Sequence, residues 1–324
     1  MLILSLIITL FKIQFMNRLI TLITLLSISG IFIFSTSFKN EFNKENTLQK
    51  VNKLDSISKK AIQNVNAVKV PKKVMFANEL APLNDVDVYE RLDRELIVNS
   101  FRHSSTFLVL KRAQKFFPII EPILKKNNVP EDFKYLAVIE SDLTYAVSPA
   151  GARGIWQIMR TTGRELGLEV NSNVDERYHI EKSTQAACEY LKKSKELLGS
   201  WTLAAAAYNA GNSGISRRLK EQKVDNYYDL LLGEETGRYV FRILAIKQIM
   251  EQPELYGFHI KSKQKYSMPH FNYVHLDTAV TSLVDFSNKF GYTYKQLKQY
   301  NPWLREKHLN NKTKRHYEIR FPKR

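Results

Sequence analysis

Glu140 closes an apolar run, Phe133, Leu136, Ala137 and Ile139, that opens on Pro130-Glu131-Asp132, a strong helix start. In the last turn of such a helix the unpaired carbonyls present a negative partial charge. That field, with burial beside Leu136, Ile139 and Trp156, disfavours the carboxylate and raises its pKa. A carboxyl kept protonated near neutral pH is a general acid, suited to donating to the oxygen of a glycosidic bond. Most glycosidases use two carboxylates, but Asp142 points elsewhere on the helix end and no other acid sits at a fixed offset. The spacing therefore suggests one acid, with the second role filled by substrate or water.

Behind Glu140 lies Ser148-Pro149-Ala150-Gly151-Ala152-Arg153-Gly154, a tight loop whose two glycines let backbone approach a ligand. Ser148 is placed to hydrogen-bond the carboxyl group. Gln157 is read as opening the next helix beside Trp156, its amide suited to sugar hydroxyls or an acetamido group. Tyr208 and Asn209 are polar side chains on an otherwise apolar helix ending at Gly211, a setting in which polar groups have assigned partners.

The elements that must hold these residues are helical. Periodicity of the helical kind runs from Val86 to about Gly257: one helix through Phe107–Phe117 and past a proline, one into Glu140, one over Ile180–Leu198, one from Trp201, one over Tyr239–Met250. The tail changes character. Tyr273–Leu276 and Tyr317–Pro322 alternate like strands, and Thr278–Phe290 and Tyr294–Tyr300 read as two helices between them. The expected class is mainly α, with a small βααβ unit at the C-terminus. Four segments follow: a signal peptide or membrane anchor over 1–38, a polar linker over 39–82, a helical catalytic domain over 83–257 and the small module over 268–324. The linker carries a short helical pattern at Leu54, Ile57, Ala61 and Val65.

The leader reading rests on the uncharged apolar run of residues 19–38, preceded by Arg18 and followed by Lys39, which fits export or a bilayer span. It places the catalytic part outside the cytoplasmic membrane, in the periplasm or cell envelope. The net charge of +17 suits an anionic partner. Nucleic acid is set aside because the chain carries an export signal and no nucleic-acid motif. One cysteine, Cys188, excludes an internal disulfide and a cysteine-rich metal site. The seven histidines show no metal-ligand spacing, so neither metal nor cofactor is expected.

Four segments, in order, resemble the soluble lytic transglycosylase family: Glu140-Ser141; Ser148–Ala152 with Gly154–Met159; Ala207-Tyr208-Asn209-Ala210-Gly211; and Glu235-Thr236-Gly237-Arg238-Tyr239-Val240. With a membrane-proximal spacer and a small C-terminal unit, the chain looks most like the membrane-bound murein transglycosylase D branch. The resemblance implies a goose-type lysozyme-like helical fold, with Glu140 as sole acid and then base. It implies that Ser148 polarises the acetamido or carboxyl group, and that Gln157, Met159, Tyr208, Asn209, Glu235 and Tyr239 line the saccharide groove. The implied reaction cleaves the bond between N-acetylmuramic acid and N-acetylglucosamine in peptidoglycan strands, leaving a 1,6-anhydro sugar. A departure is Arg160, where the family usually has proline. The tail resembles a degenerate LysM module through Leu276-Asp277-Thr278-Ala279-Val280 and Asn301-Pro302-Trp303, which implies glycan binding or a structural cap. A goose-type hydrolase and a non-catalytic wall-binding scaffold are the alternative functions.

Overall fold

The computed structural model describes residues 67–324, together with helical residues 16, 17, 20–22 and 24–27. The chain divides into two units, residues 1–66 and 67–324. Most of the leader and the linker pattern at Leu54–Val65 lie outside the described residues. Among the described residues no helix is long and apolar enough to cross a membrane.

The second unit opens with a hairpin, β1 (Met75–Phe76) and β2 (Glu79–Leu80), turned by Ala77 and Asn78 at positive φ. Val74, Phe76, Ala77 and Ala81 are buried in the main core, so the polar spacer expected to reach residue 82 ends before Val74. Phe76 meets the edge of Phe133, which in turn meets Trp201. The short length and mixed polarity of this segment hide its strands from a search for alternation.

Eight helices of this unit follow: α1 (Val86–Phe101), α2 (His103–Lys126), α3 (Lys134–Ser141), α4 (Arg160–Glu165), α5 (Ile180–Leu198), α6 (Trp201–Ala210), α7 (Asn212–Gln222) and α8 (Glu234–Glu251). Their ends have local causes. Asp85 accepts from Val88 N at the start of α1, and Ser200 accepts from Leu203 N at the start of α6. The Glu79 carboxylate also takes the Trp201 and Thr202 N–H groups, bringing negative charge to the positive end of α6. Gly199, at φ +86°, stops α5 in the left-handed conformation. α2 runs unbroken through Pro118 and Pro122.

Helix α8 is the centre of the core. It packs on α1, α3 and α6, with Tyr239, Val240, Phe241, Ile243, Leu244 and Ala245 buried. Leu203 to Ala207 of α6 are buried too, so small side chains let that helix sit deep. Cys188 is buried in α5, and desolvation pushes its thiol up to about 12, away from nucleophile chemistry.

The tail is the expected βααβ unit: β3 (Phe271–Leu276), α9 (Leu283–Lys289), α10 (Tyr294–Tyr300) and β4 (Tyr317–Pro322), with β3 antiparallel to β4. Helix α9 starts at Leu283 rather than Thr278. Ser282 caps it, and Val280 is held in a bridge to Leu309. The tail does not build its core alone: Val174 and Tyr178 of the helical part pack with Leu283, Leu297, Trp303, Leu304 and Ile319. A backbone bridge from Val174 to Leu304 and the Asp175 N–H on Trp303 O (2.9 Å) fasten the two together.

Candidate active site

Glu140 stands in the last turn of α3, whose inner face, Tyr135 to Val138, is buried. The helix ends abruptly because Asp142 and Leu143 adopt positive φ. The next residue, Ser141, donates to Ile155 O at 2.8 Å, tying the helix end to the loop behind it. Glu140 itself is half-buried, and the buried Tyr239 hydroxyl of α8 donates to its Oε1. Desolvation is the main influence on its carboxyl. The Tyr239 hydrogen bond and the Arg242 charge oppose it, Glu235 adds to it, and the balance is a pKa of about 7. Arg242 is positioned by donating to Ile139 O at 3.0 Å. The carboxyl is thus raised towards neutrality, the condition a proton donor needs.

The surrounding tyrosines are protonated phenols. Burial, and next the Glu140 charge, push both Tyr208 and Tyr239 well above the usual phenol range. Tyr208 donates to Trp156 O at 2.7 Å, and Trp156 donates its indole N–H to Thr184. The loop 148–158 is therefore pinned to α5 and α6 from its far side.

Arg177 pins the same loop from beneath. It is buried, forms a two-pronged ion pair with Asp175 (2.9 and 2.8 Å), and donates to Gly151 O and Ile158 O. Gly154 passes so close that a Cβ there would lie 2.0 Å from Arg177 O. Only glycine fits at that crossing.

No hydrogen bond joins Ser148 to Glu140 among the described residues. Its Oγ accepts from Ala152 N at 3.0 Å and stabilises its own turn. Gln157 does not open a helix: it has φ +47°, and α4 begins at Arg160 after Met159. Its amide donates to Ala146 O (3.1 Å) and Gly154 O (2.7 Å), so loop carbonyls take the donors expected to meet a sugar. Gln157, Met159 and Tyr208 do come together, on the wall of a cavity of about 90 Å³. Asn209 and Glu235 meet at 3.2 Å, and Thr236 donates to Asn209 Oδ1. Glu235 and Arg242 line a second cavity of about 520 Å³ on the α1–α8 side. Residues electrostatically coupled to Glu140 thus line two hollows. Among the described residues no group of three or more His, Cys, Asp or Glu side chains could hold a metal ion.

The sequence reading missed Arg177, Asp175 and Arg242. The first two sit in an aperiodic charged segment, and Arg242 sits within a helix where an arginine ordinarily faces water.

Residues 117–230 match the Transglycosylase SLT domain family, and residues 272–324 match the Soluble lytic transglycosylase C-terminal LysM-like domain. The chain is similar to membrane-bound lytic murein transglycosylase D of Escherichia coli (strain K12), 30% identical over 226 residues, covering 68% of this chain and 48% of that one. It is also similar to membrane-bound lytic murein transglycosylase F of Erwinia tasmaniensis, 27% identical over 157 residues, covering 44% of this chain and 30% of that one. The chain therefore spans about half the length of the first of these relatives. An inactive mutant of lytic transglycosylase Slt from Pseudomonas aeruginosa aligns at 20% identity with a TM-score of 0.34, covering 46% of this chain and 26% of that one. At that score the likeness carries no argument.

Proposed function

We propose that this chain is a peptidoglycan lytic transglycosylase in which Glu140 is the sole acid and base. The observation that carries the reading is a half-buried carboxyl with a pKa of about 7, hydrogen-bonded to a tyrosine and to no other acid among the described residues. Protonated Glu140 donates to the glycosidic oxygen between N-acetylmuramic acid and N-acetylglucosamine. The resulting carboxylate, which Tyr239 and Arg242 favour, then takes the proton of the muramoyl 6-hydroxyl as that oxygen closes on C1. One C–O bond breaks, one forms, and no water is consumed. The second acid that hydrolysis by two carboxylates would need is replaced by the substrate's own hydroxyl.

Gln157, Met159, Tyr208, Asn209, Glu235 and Tyr239 are proposed to line the saccharide groove, with Ser148 shaping the loop and touching the acetamido group through its hydroxyl. Residues 83–257 are read as the catalytic domain and 268–324 as its LysM-like module. The apolar run of residues 19–38 is read as delivering or anchoring the chain to the cell envelope, in keeping with the membrane-bound relatives.

Digestion of murein sacculi by the full chain, with mass spectrometry of the fragments, tests the reaction. Ends carrying 1,6-anhydromuramic acid are expected. Reducing ends, heavier by one water, would make it a goose-type hydrolase instead. Binding to sacculi with no release of fragments would make it a scaffold.

A further inference from the structure

The largest cavity among those described, about 610 Å³, lies where the loop 150–160, the segment 170–177 and the tail meet. Its wall carries Arg153 and Arg160 from the first of these and Arg305 from the tail, beside the buried Arg177 of the second. Two acids face them. Asp175 is consumed by Arg177 at 2.8 Å and Arg153 at 3.5 Å, which leaves Glu306 as the opposing charge. Arg160 and Arg305 are exposed and, among the described residues, have no carboxylate partner within 4.0 Å. Arg305 is nonetheless held in place: its guanidinium stacks 4.2 Å over the Tyr178 ring and donates to Pro302 O at 2.8 Å. A guanidinium fixed by its flat face presents its remaining donors as a fork that matches a carboxylate. Asn171 and Ser172 add neutral hydrogen-bonding groups to the wall.

The position of this cavity says what could reach it. Met159 lines both it and the small hollow of Gln157 and Tyr208, so the two adjoin at that side chain. An occupant of that small hollow, whose Tyr208 wall feels the Glu140 charge, would lay an acidic branch here. Arg160, exposed at the start of α4, belongs to the same wall.

We propose that this cavity is a carboxylate-binding subsite for the peptide branch of the wall glycan, built jointly by Arg160 of the helical part and Arg305 of the tail. The proposal rests on the transglycosylase reading for the identity of the polymer. It gives the tail a role in choosing substrate that is separate from any glycan affinity of its own. It also favours strands whose peptides are intact over strands from which they have been removed.

Calorimetric titration of the full chain with two soluble muramyl oligosaccharides, one carrying its acidic peptide and one stripped of it, tests the subsite without needing turnover. The peptide-bearing ligand is expected to bind about tenfold more tightly, and Arg160→Ala with Arg305→Ala to abolish that preference while leaving the stripped ligand within about twofold. Arg305→Lys, which keeps the charge and loses the fork, is expected to recover only part of it. Equal affinity for the two ligands in the unaltered chain overturns the proposal, as does an equal loss for both ligands in the variants. An arginine-dependent preference in a chain that releases no anhydro ends leaves the subsite standing and removes the proposed reaction instead.

Discussion

Tyr239 donates its hydroxyl to Glu140 across 99 residues of sequence, from the first half of α8 to the end of α3. The bond has two opposed effects. It fixes the carboxyl against α8, and it favours the ionised form, drawing the pKa down from where burial alone would put it. Tyr239→Phe should therefore raise the pKa of Glu140 above about 7 and move the alkaline limb of the activity profile to higher pH. Turnover at the optimum should fall about tenfold through lost orientation. A pH–rate profile of kcat/KM on sacculi reads both effects. An unmoved limb would mean that Glu140 is not the titrating acid.

Glu140→Gln should lose a factor of about 10² to 10⁴ in turnover. Its effect on stability has the opposite sign at neutral pH. A carboxyl whose folded pKa is raised from 4.5 to about 7 contributes stability fully below 4.5 and loses it as pH rises through about 7. The wild type should therefore be less stable at pH 8 than at pH 4 on this account, by about 3 kcal/mol at most. The glutamine variant lacks that dependence and should gain on the wild type as pH rises. Urea denaturation at pH 5 and pH 8 checks the crossing.

The position of Glu140 was legible because its helix announces itself at Pro130-Glu131-Asp132 and its apolar face repeats every third or fourth residue. Its partners were not. Tyr239 carries no local sign of facing Glu140, since only the packing of α8 on α3 brings them together. Ser148 is engaged nearer home. A hydroxyl in a tight turn finds the N–H four residues on before it finds anything distant, and Ala152 supplies it. Gln157 read as a helix opening because apolar residues flank it. The chain instead turns through Gly154 and again at Gln157 before α4 can begin. The docking of the tail was likewise invisible, as Val174 and Leu304 pair over a long stretch of chain.

Arg177 should matter to activity without touching substrate. Replacing it with Met leaves Asp175 as a buried charge, its remaining cation the half-exposed Arg153, and frees the carbonyls of Gly151 and Ile158. Breaking one partner of such a pair costs about 3–5 kcal/mol. The expected outcome is a lower melting temperature together with poor activity that worsens on warming. Asp175→Asn with Arg177→Met should recover part of the stability, because no unpaired charge then remains. Thermal melts of the single and double variants measure that recovery, and its absence would show that the carbonyl contacts, not the ion pair, hold the loop.

The joint between helical part and tail should weaken in acid, and Glu181 is the group responsible. It lies 2.5 Å from Arg320 of β4 and 3.2 Å from His179 Nδ1, at the base of α5. Burial pushes its carboxyl up, but His179 and Arg320 together outweigh burial and hold it at about 2. A carboxyl whose folded pKa is depressed contributes stability above its unfolded value of 4.5, and that contribution is lost as pH falls through about 2. Replacing Arg320 with Met removes one of the two groups that lower it, so the wild type should exceed the variant in stability at pH 6. The gap should close as pH falls from about 4.5 towards about 2. Trp303, which stacks on Tyr317 and packs in the shared core, provides the control. Trp303→Ala should cost about 3–5 kcal/mol at every pH, since the loss is one of packing. Urea titrations of all three chains at pH 6, 4 and 2.5 separate the cases. A gap for Arg320→Met that does not vary with pH would mean that Arg320 acts by packing, over Phe271 and Tyr273, and not through the charge of Glu181.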